Sequence, residues 1–218
     1  MPPTIPCVKI SDKLIKKEFS TKFLGVTVDF NLSWNTHIKD ILTKISKQCG
    51  ILFHIRNSLT LRALKQIYYS LVFPQLTYCN IVWSGVPNNR LKDLFLKQKK
   101  IIRVINSLGR YDHTNAAFLA LNILKFNEIK EYCIALFVYK TINSPDNTMF
   151  TFRNNSQYCL RNANLLQPPM THSLQSQSSI RYQGVGVWNS LPTTLREKPT
   201  IATFKQTLKL FLLNRYSD

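Results

Sequence analysis

Acidic residues are scarce in this 218-residue chain, with 11 Asp and Glu against 29 Lys and Arg. No two of the eleven are adjacent. Metal-assisted nucleotidyl transfer needs carboxylates converging on two cations a few ångströms apart, and this pattern offers no such pair. The chain also lacks a P-loop, a dinucleotide fingerprint, a His-Glu-x-x-His zinc motif and a Gly-x-Ser-x-Gly nucleophile elbow. Its four histidines (His37, His54, His113, His172) show no ligand spacing with cysteine or carboxylate, and His37 is read as a helix-start residue without a chemical role. Five scattered cysteines form no Cys-x-x-Cys pair, which argues against a disulfide framework or a zinc site and for reduced thiols in an intracellular protein, nuclear or cytoplasmic. No stretch approaches the ~20 apolar residues of a membrane span, and the first apolar run is too short and interrupted for a signal peptide. The expectation is a chain with no catalytic residue, no metal ligand and no cofactor of its own.

What is present is positive charge and a core. The formal net charge is +18, the hydrophobic fraction 44% and the charged fraction 18%. A packed domain is therefore expected, with a polyanion as partner. Nucleic acid leads; an anionic membrane surface is weaker and is not adopted.

Along the chain, the first thirty residues read as β. Cys7 to Ile10 is a short strand, Ser11 to Lys13 a turn, and Leu14-Ile15 begins a second strand. Lys22 to Asp29 is a β-branched and aromatic run whose Gly25 marks a bulge or a close backbone approach. Such a small sheet cannot bury two faces, so it reads as the edge of something larger. From Asn35 the period turns helical, with Ile38, Ile41, Leu42, Ile45, Cys49, Leu52 and Phe53 on one stripe. Thr60 is a candidate N-cap for a second helix carrying Leu64, Ile67, Tyr68, Leu71 and Val72. Pro74 should kink or break it, and Gln75 to Trp83 continues as a short helix. A third long helix spans Asn88 to Leu108, with Gly109 as its stop. Shorter helical signals cover Ala116 to Leu121 and Asn127 to Asn143. Ser144 to Gln183 is rich in Asn, Gln, Ser, Thr and Pro, a linker composition. A last helix succeeds the cap Thr200, with Phe204, Leu208, Phe211 and Leu212 on one face.

The predicted fold is thus mainly α: a small N-terminal β-hairpin or edge sheet, an antiparallel helical bundle, a linker and a short α tail. The corresponding boundaries are 1–34, 35–143, 144–183 and 184–218.

Phe23-Leu24-Gly25-Val26-Thr27-Val28-Asp29, followed by Leu32-Ser33-Trp34 and His37-Ile38, resembles a segment of jockey-like and other LINE-type (non-LTR retrotransposon) reverse transcriptases. Pro74 to Tyr78 with Val82-Trp83, Gln98 to Ile105, Leu121 to Thr141, and Trp188 to Pro192 with Phe204-Lys205 are similar in the same order. The resemblance implies a partial palm and primer-grip hairpin over 1–34, a thumb-like domain over 35–143 and a C-terminal tail. It also implies what this chain lacks, namely the family's catalytic Asp, its Phe/Tyr-Ala-Asp-Asp turn, and with them the ligands of the Mg2+ that the full-length polymerase uses. An initial methionine ahead of a mid-palm segment suggests a truncated copy of an element.

The function implied is that of a noncatalytic fragment of an RNA-directed DNA polymerase, gripping RNA or RNA–DNA duplex without sequence preference. Phosphate contacts need cations on a rigid face. Lys92, Lys99 and Arg103 are seven and four residues apart, hence on one helix stripe, with Lys100 beside them. The bland alternative is a solvated polar face. Phe23, Leu24 and Gly25 are the second candidate, since glycine lets a backbone approach the primer closely; the alternative there is a plain β-bulge. The rival reading of the whole is a helical protein-interaction module or a decaying, nonfunctional reading frame.

Overall fold

The computed structural model describes residues 9–10, 13–14, 18–153, 165–171 and 173–216. Cys7, Val8, Ser11, Asp12 and Ile15, which carried part of the strand expectation, lie outside them. Strand β1 (Lys9–Ile10) pairs antiparallel with β2 (Lys13–Leu14). Strand β3 (Ser20–Phe23) pairs antiparallel with β4 (Val26–Asp29), in register from Ser20 opposite Asp29 to Phe23 opposite Val26. The Lys22 to Asp29 run is therefore not a bulged strand but folds back on itself at Leu24-Gly25. Both turn residues have positive φ (46° and 82°), the pair of values a two-residue type I′ hairpin requires.

Helix α1 (Asn35–Ile55) buries Ile38, Ile41, Ile45, Cys49 and Leu52, the stripe its spacing predicts. Phe53 departs from that stripe and is 51% exposed, because it stands about 100° round the helix from Leu52. Helix α2 (Leu61–Ile67) starts at Thr60, whose hydroxyl accepts from the Ala63 amide at 3.3 Å. Pro74 does not interrupt the helical course of the chain. A π-turn (Tyr68–Val72) leads into α3 (Phe73–Thr77), and the Phe73 amide reaches back five residues to the Tyr68 carbonyl. The wider turn admits a residue that has no amide to donate and whose ring would crowd a regular α-helix. The break comes later, at extended Tyr78 and left-handed Cys79, so Gln75 to Trp83 is not one helix; α4 is only Asn80–Trp83.

Helix α5 (Asn88–Ile105) also ends earlier than expected. Ser107, with φ 53°, takes the left-handed stop position assigned to Gly109, and the Leu108 amide bonds the Arg103 carbonyl at 2.9 Å. That six-to-one closure is the Schellman pattern. Helices α1 and α5 pack side by side, with Arg90 near the start of α5 donating to the Ser33 carbonyl just ahead of α1 and the charges of Lys97 and Lys100 felt at Cys49 further along. The α2–α3 segment returns the chain between them, with the Gln48 side-chain amide on the Leu71 carbonyl at 2.9 Å.

Helices α6 (Asn115–Leu121) and α7 (Phe126–Ile142) come next. Helix α7 packs against α3, α4 and α5, and also against α9 (Ile180–Ser190) and α11 (Ile201–Asn214). Short helices α8 (Leu174–Gln177) and α10 (Thr193–Arg196) flank α9. The polar stretch expected as linker contributes Phe150 and Leu166 to this core, and α9 begins within it. Asn189 holds Leu166 from both sides, accepting from its amide and donating to its carbonyl at 2.9 Å each. Trp188, Tyr139 and Phe204 form an aromatic knot, the last two stacked at 4.3 Å. Gly184 is needed where α9 crosses α7, since a Cβ there would stand 2.9 Å from Val138 and 3.0 Å from Phe150.

The deepest polar contact lies between layers. The Gln98 side-chain amide, fully buried, donates to the Tyr68 hydroxyl at 2.8 Å and to the Leu124 carbonyl at 2.9 Å. Replacing Gln98 with Leu strands both acceptors and is expected to lower stability by about 2–3 kcal/mol. Tyr68→Phe leaves the Leu124 bond in place and should cost about 1 kcal/mol. Urea denaturation of both variants measures the difference, and equal losses would show that the two bonds are not shared through Gln98.

Candidate nucleic-acid interface

Two patches carry the residues singled out by sequence. The first is the hairpin tip. Phe23 and Leu24 expose their side chains (67% and 74%), while the Leu24 carbonyl accepts from the Tyr78 hydroxyl at 2.5 Å. A Cβ on Gly25 would lie 3.6 Å from the Tyr78 ring, an ordinary contact. Glycine is favoured here by its φ rather than by a tight approach.

The rest of the motif positions that tip. The Asp29 carboxylate accepts from the Ser33 amide (2.7 Å), the Trp34 amide (2.7 Å) and the Ser33 hydroxyl (3.0 Å). These amides lead directly into α1, where donors have no helical partner of their own. Partial burial raises the Asp29 pKa, but the bonds from Ser33 and Trp34 outweigh it and hold the carboxyl below its ordinary value. Leu32 and Trp34 take left-handed backbone (φ 50° and 61°) to make the turn.

His37, read from sequence as idle, is a buried anchor. Its Nδ1 accepts from the Thr27 amide at 3.3 Å, joining α1 to β4, and its ring meets Trp83 edge-on at 5.7 Å. Its Nε2 has no hydrogen-bond partner among the described residues. Burial pushes the imidazole pKa below its ordinary value, with Lys44 adding to this and Asp40 opposing it. His37 and Asp40 line a depression of about 320 Å³ with Lys22 and Lys44. Its partners Thr27 and Trp83 lie 10 and 46 residues away, so spacing within the helix could not have marked it as an anchor.

The second patch is on α5. Lys92, Lys99 and Arg103 fall on one stripe, about 10 Å and 6 Å apart along the axis. Lys92 and Lys100 are exposed, and Lys99 and Arg103 half-buried. The Lys99 ammonium lies 4.9 Å from the centre of the Phe95 ring. Arg103 is oriented by donating from Nε to the Asp112 carbonyl at 3.2 Å. Burial raises the Cys49 thiol's pKa, and the charges of Lys100 and Lys97 offset some of that rise. Leu96, 48% exposed, sits within the stripe. The structure thus gathers Lys92, Lys99 and Arg103, sets Lys100 beside them, and leaves Phe23, Leu24 and Gly25 as a separate patch anchored at Tyr78. Among the described residues, no group of three or more His, Cys, Asp or Glu is placed to hold a metal ion, and no helix is long and apolar enough to cross a membrane.

The architecture is that of a mainly helical protein opening on a small antiparallel β-hairpin. The chain is distantly similar to part of the RNA-directed DNA polymerase from mobile element jockey of Drosophila melanogaster, with 28% identity over 127 residues. That match covers 56% of this chain and 14% of the relative. The polymerase of the same name from Drosophila funebris is 28% identical over 149 residues, 66% of this chain and 16% of the relative. The chain therefore spans less than a fifth of the length of these relatives. No family model and no solved structure matches.

The His37 anchor has a pH signature. A neutral imidazole can accept from Thr27 and an imidazolium cannot. Because the folded-state pKa lies below the unfolded value of about 6.5, this contribution is complete above that value and is lost as pH falls through the folded pKa. Urea midpoints should therefore drop on acidification below about pH 6.5, where the unfolded chain takes up the proton first. His37→Gln, which keeps an acceptor but cannot titrate, should flatten that decline; an unchanged pH profile would assign it to other groups.

Proposed function

We propose that this chain is a noncatalytic C-terminal portion of a retrotransposon polymerase that grips RNA or RNA–DNA duplex through phosphates, without reading sequence. The observation that carries this reading is the α5 stripe, where Lys92, Lys99 and Arg103 stand on one face of a helix anchored by fully buried Leu94, Gln98 and Ile101. A rigid cationic ridge suits a regularly spaced polyanion. The net charge of +18 supplies the long-range attraction. Similarity to jockey polymerases supports the choice of nucleic acid over other polyanions. The noncatalytic assignment rests on the sparse, isolated carboxylates. In this reading 1–34 is a palm-edge, primer-grip segment and 35–143 a thumb.

A second reading has its own observation. Phe23 and Leu24 at the hairpin tip, and Leu32 at 48% exposure in the turn after β4, present apolar side chains, a surface that also suits a protein partner. Pull-down insensitive to nuclease treatment would favour an interaction module.

Filter binding of an RNA–DNA duplex over a salt series tests the first reading. Affinity should fall steeply with salt, and a flat dependence removes the phosphate-contact mechanism. Lys92→Glu with Lys99→Glu should weaken binding to all sequences alike and reduce the logarithmic salt slope by about 2. In primer extension the isolated chain should yield no product, and any templated product would overturn the noncatalytic assignment.

A further inference from the structure

Helix α2 and the π-turn carry a second cationic face, distinct from the α5 stripe. Arg62, Lys65, Gln66 and Tyr69 are spaced three, four and seven residues apart, so they share one side of the helix. With Ser70 they line a shallow groove of about 520 Å³. Among the described residues no carboxylate lines it.

Helix α11 brings a further cation to Tyr69. The Lys209 ammonium lies 3.4 Å from the Tyr69 hydroxyl and 5.6 Å from the centre of its ring. The same hydroxyl donates to the Asn122 carbonyl at 2.9 Å, which fixes the ring and leaves its oxygen facing Lys209. Burial, and then the charge of Lys65, lower the Lys209 pKa. Lys65 and Lys209, both half-buried, are thus near enough to repel one another beside an aromatic ring, with exposed Arg62 on the same side of α2. That arrangement opposes itself in the free chain and is relieved by an anion. The half-buried Tyr69 ring is braced by Phe73 at 5.3 Å and by Tyr68 edge-on at 5.5 Å, and the part of it that borders the groove supplies what a simple anion site has no use for, an aromatic surface for a base.

We infer that this groove is a contact site for single-stranded nucleic acid, taking a backbone phosphate between Arg62 and Lys65 and a base against Tyr69. It lies on helices other than α5 and so adds a second point of contact to the grip proposed above, from which it takes the class of ligand. A strand leaving a duplex held on α5 has the two features the groove is built for, namely a charged backbone and unpaired bases with free faces.

The test is fluorescence anisotropy of the full chain with a short labelled oligouridylate over a salt series, alongside the duplex. Arg62→Ala with Lys65→Ala removes surface charge only, and far-UV circular dichroism should show its helices intact. This pair should weaken oligouridylate binding severalfold and lower the salt slope by roughly 0.7 for each phosphate contact removed. Tyr69→Leu should weaken binding at every salt concentration without changing the slope, while Tyr69→Phe, which keeps the ring, should bind more tightly than Tyr69→Leu. If the groove variants bind oligouridylate as the wild type does while Lys92→Glu with Lys99→Glu weakens duplex binding, the groove inference fails and the α5 reading stands. Loss confined to the groove variants supports the groove and removes α5. A wild-type chain that binds neither probe overturns both.

Discussion

Helix α7 leaves almost no face to solvent, and the rest of the fold depends on covering it. Of its seventeen residues only Asn127 and Lys140 are exposed. Burial pushes the Cys133 thiol up to about 12 and lowers the Lys130 pKa. A helix that buries residues on several faces has to be enclosed by other elements. Here α3, α4, α5, α9 and α11 all pack on it. The last turns of α11 also reach the start of α7. The Tyr216 hydroxyl accepts from the Lys125 amide at 2.8 Å, and Arg215 pairs with Glu131 at 2.7 Å. The C-terminal helix is thereby part of the body that supports α5, and the cationic ridge inherits rigidity from residues far along the chain.

Charge is distributed by the same logic. The core admits few polar groups, and Gln98 commits its amide nitrogen to Tyr68 and Leu124. The cations are displaced to the outer faces of α5 and α2, where few carboxylates answer them. Self-repulsion of this kind lowers the stability of a compact state while raising its attraction for polyanions. A partner that neutralised those faces would strengthen the fold as it bound.

Much of the architecture was legible because apolar spacing speaks directly to burial. Ile38 through Leu52 on α1 were placed by period alone, the start of α5 at Asn88 was placed as well, and Thr60 and Thr200 were found by their hydroxyls. Helix α7 was legible as a helix but not as a central one, because periodicity reports one face and this helix buries several. Pro74 misled because the π-turn that accommodates it is a tertiary solution, stabilised by packing that propensity does not see. Leu24-Gly25 read as a bulge because a leucine with positive φ is unusual. The α5 cations could be found from spacing within one helix. Lys209 could not be linked to Tyr69, 140 residues away, before the fold was known.

The β3–β4 hairpin is joined to the helices through few described polar links, chiefly Tyr78 to Leu24, His37 to Thr27, Asp40 to Thr27 and the Asp29 cap. Of its strand residues only Val26 is buried. Such an element can open as a cooperative unit of its own, at a free energy well below that of global unfolding. Whatever the hairpin touches is then met by an element whose seat on α1 and Tyr78 is set by a handful of bonds and one buried valine.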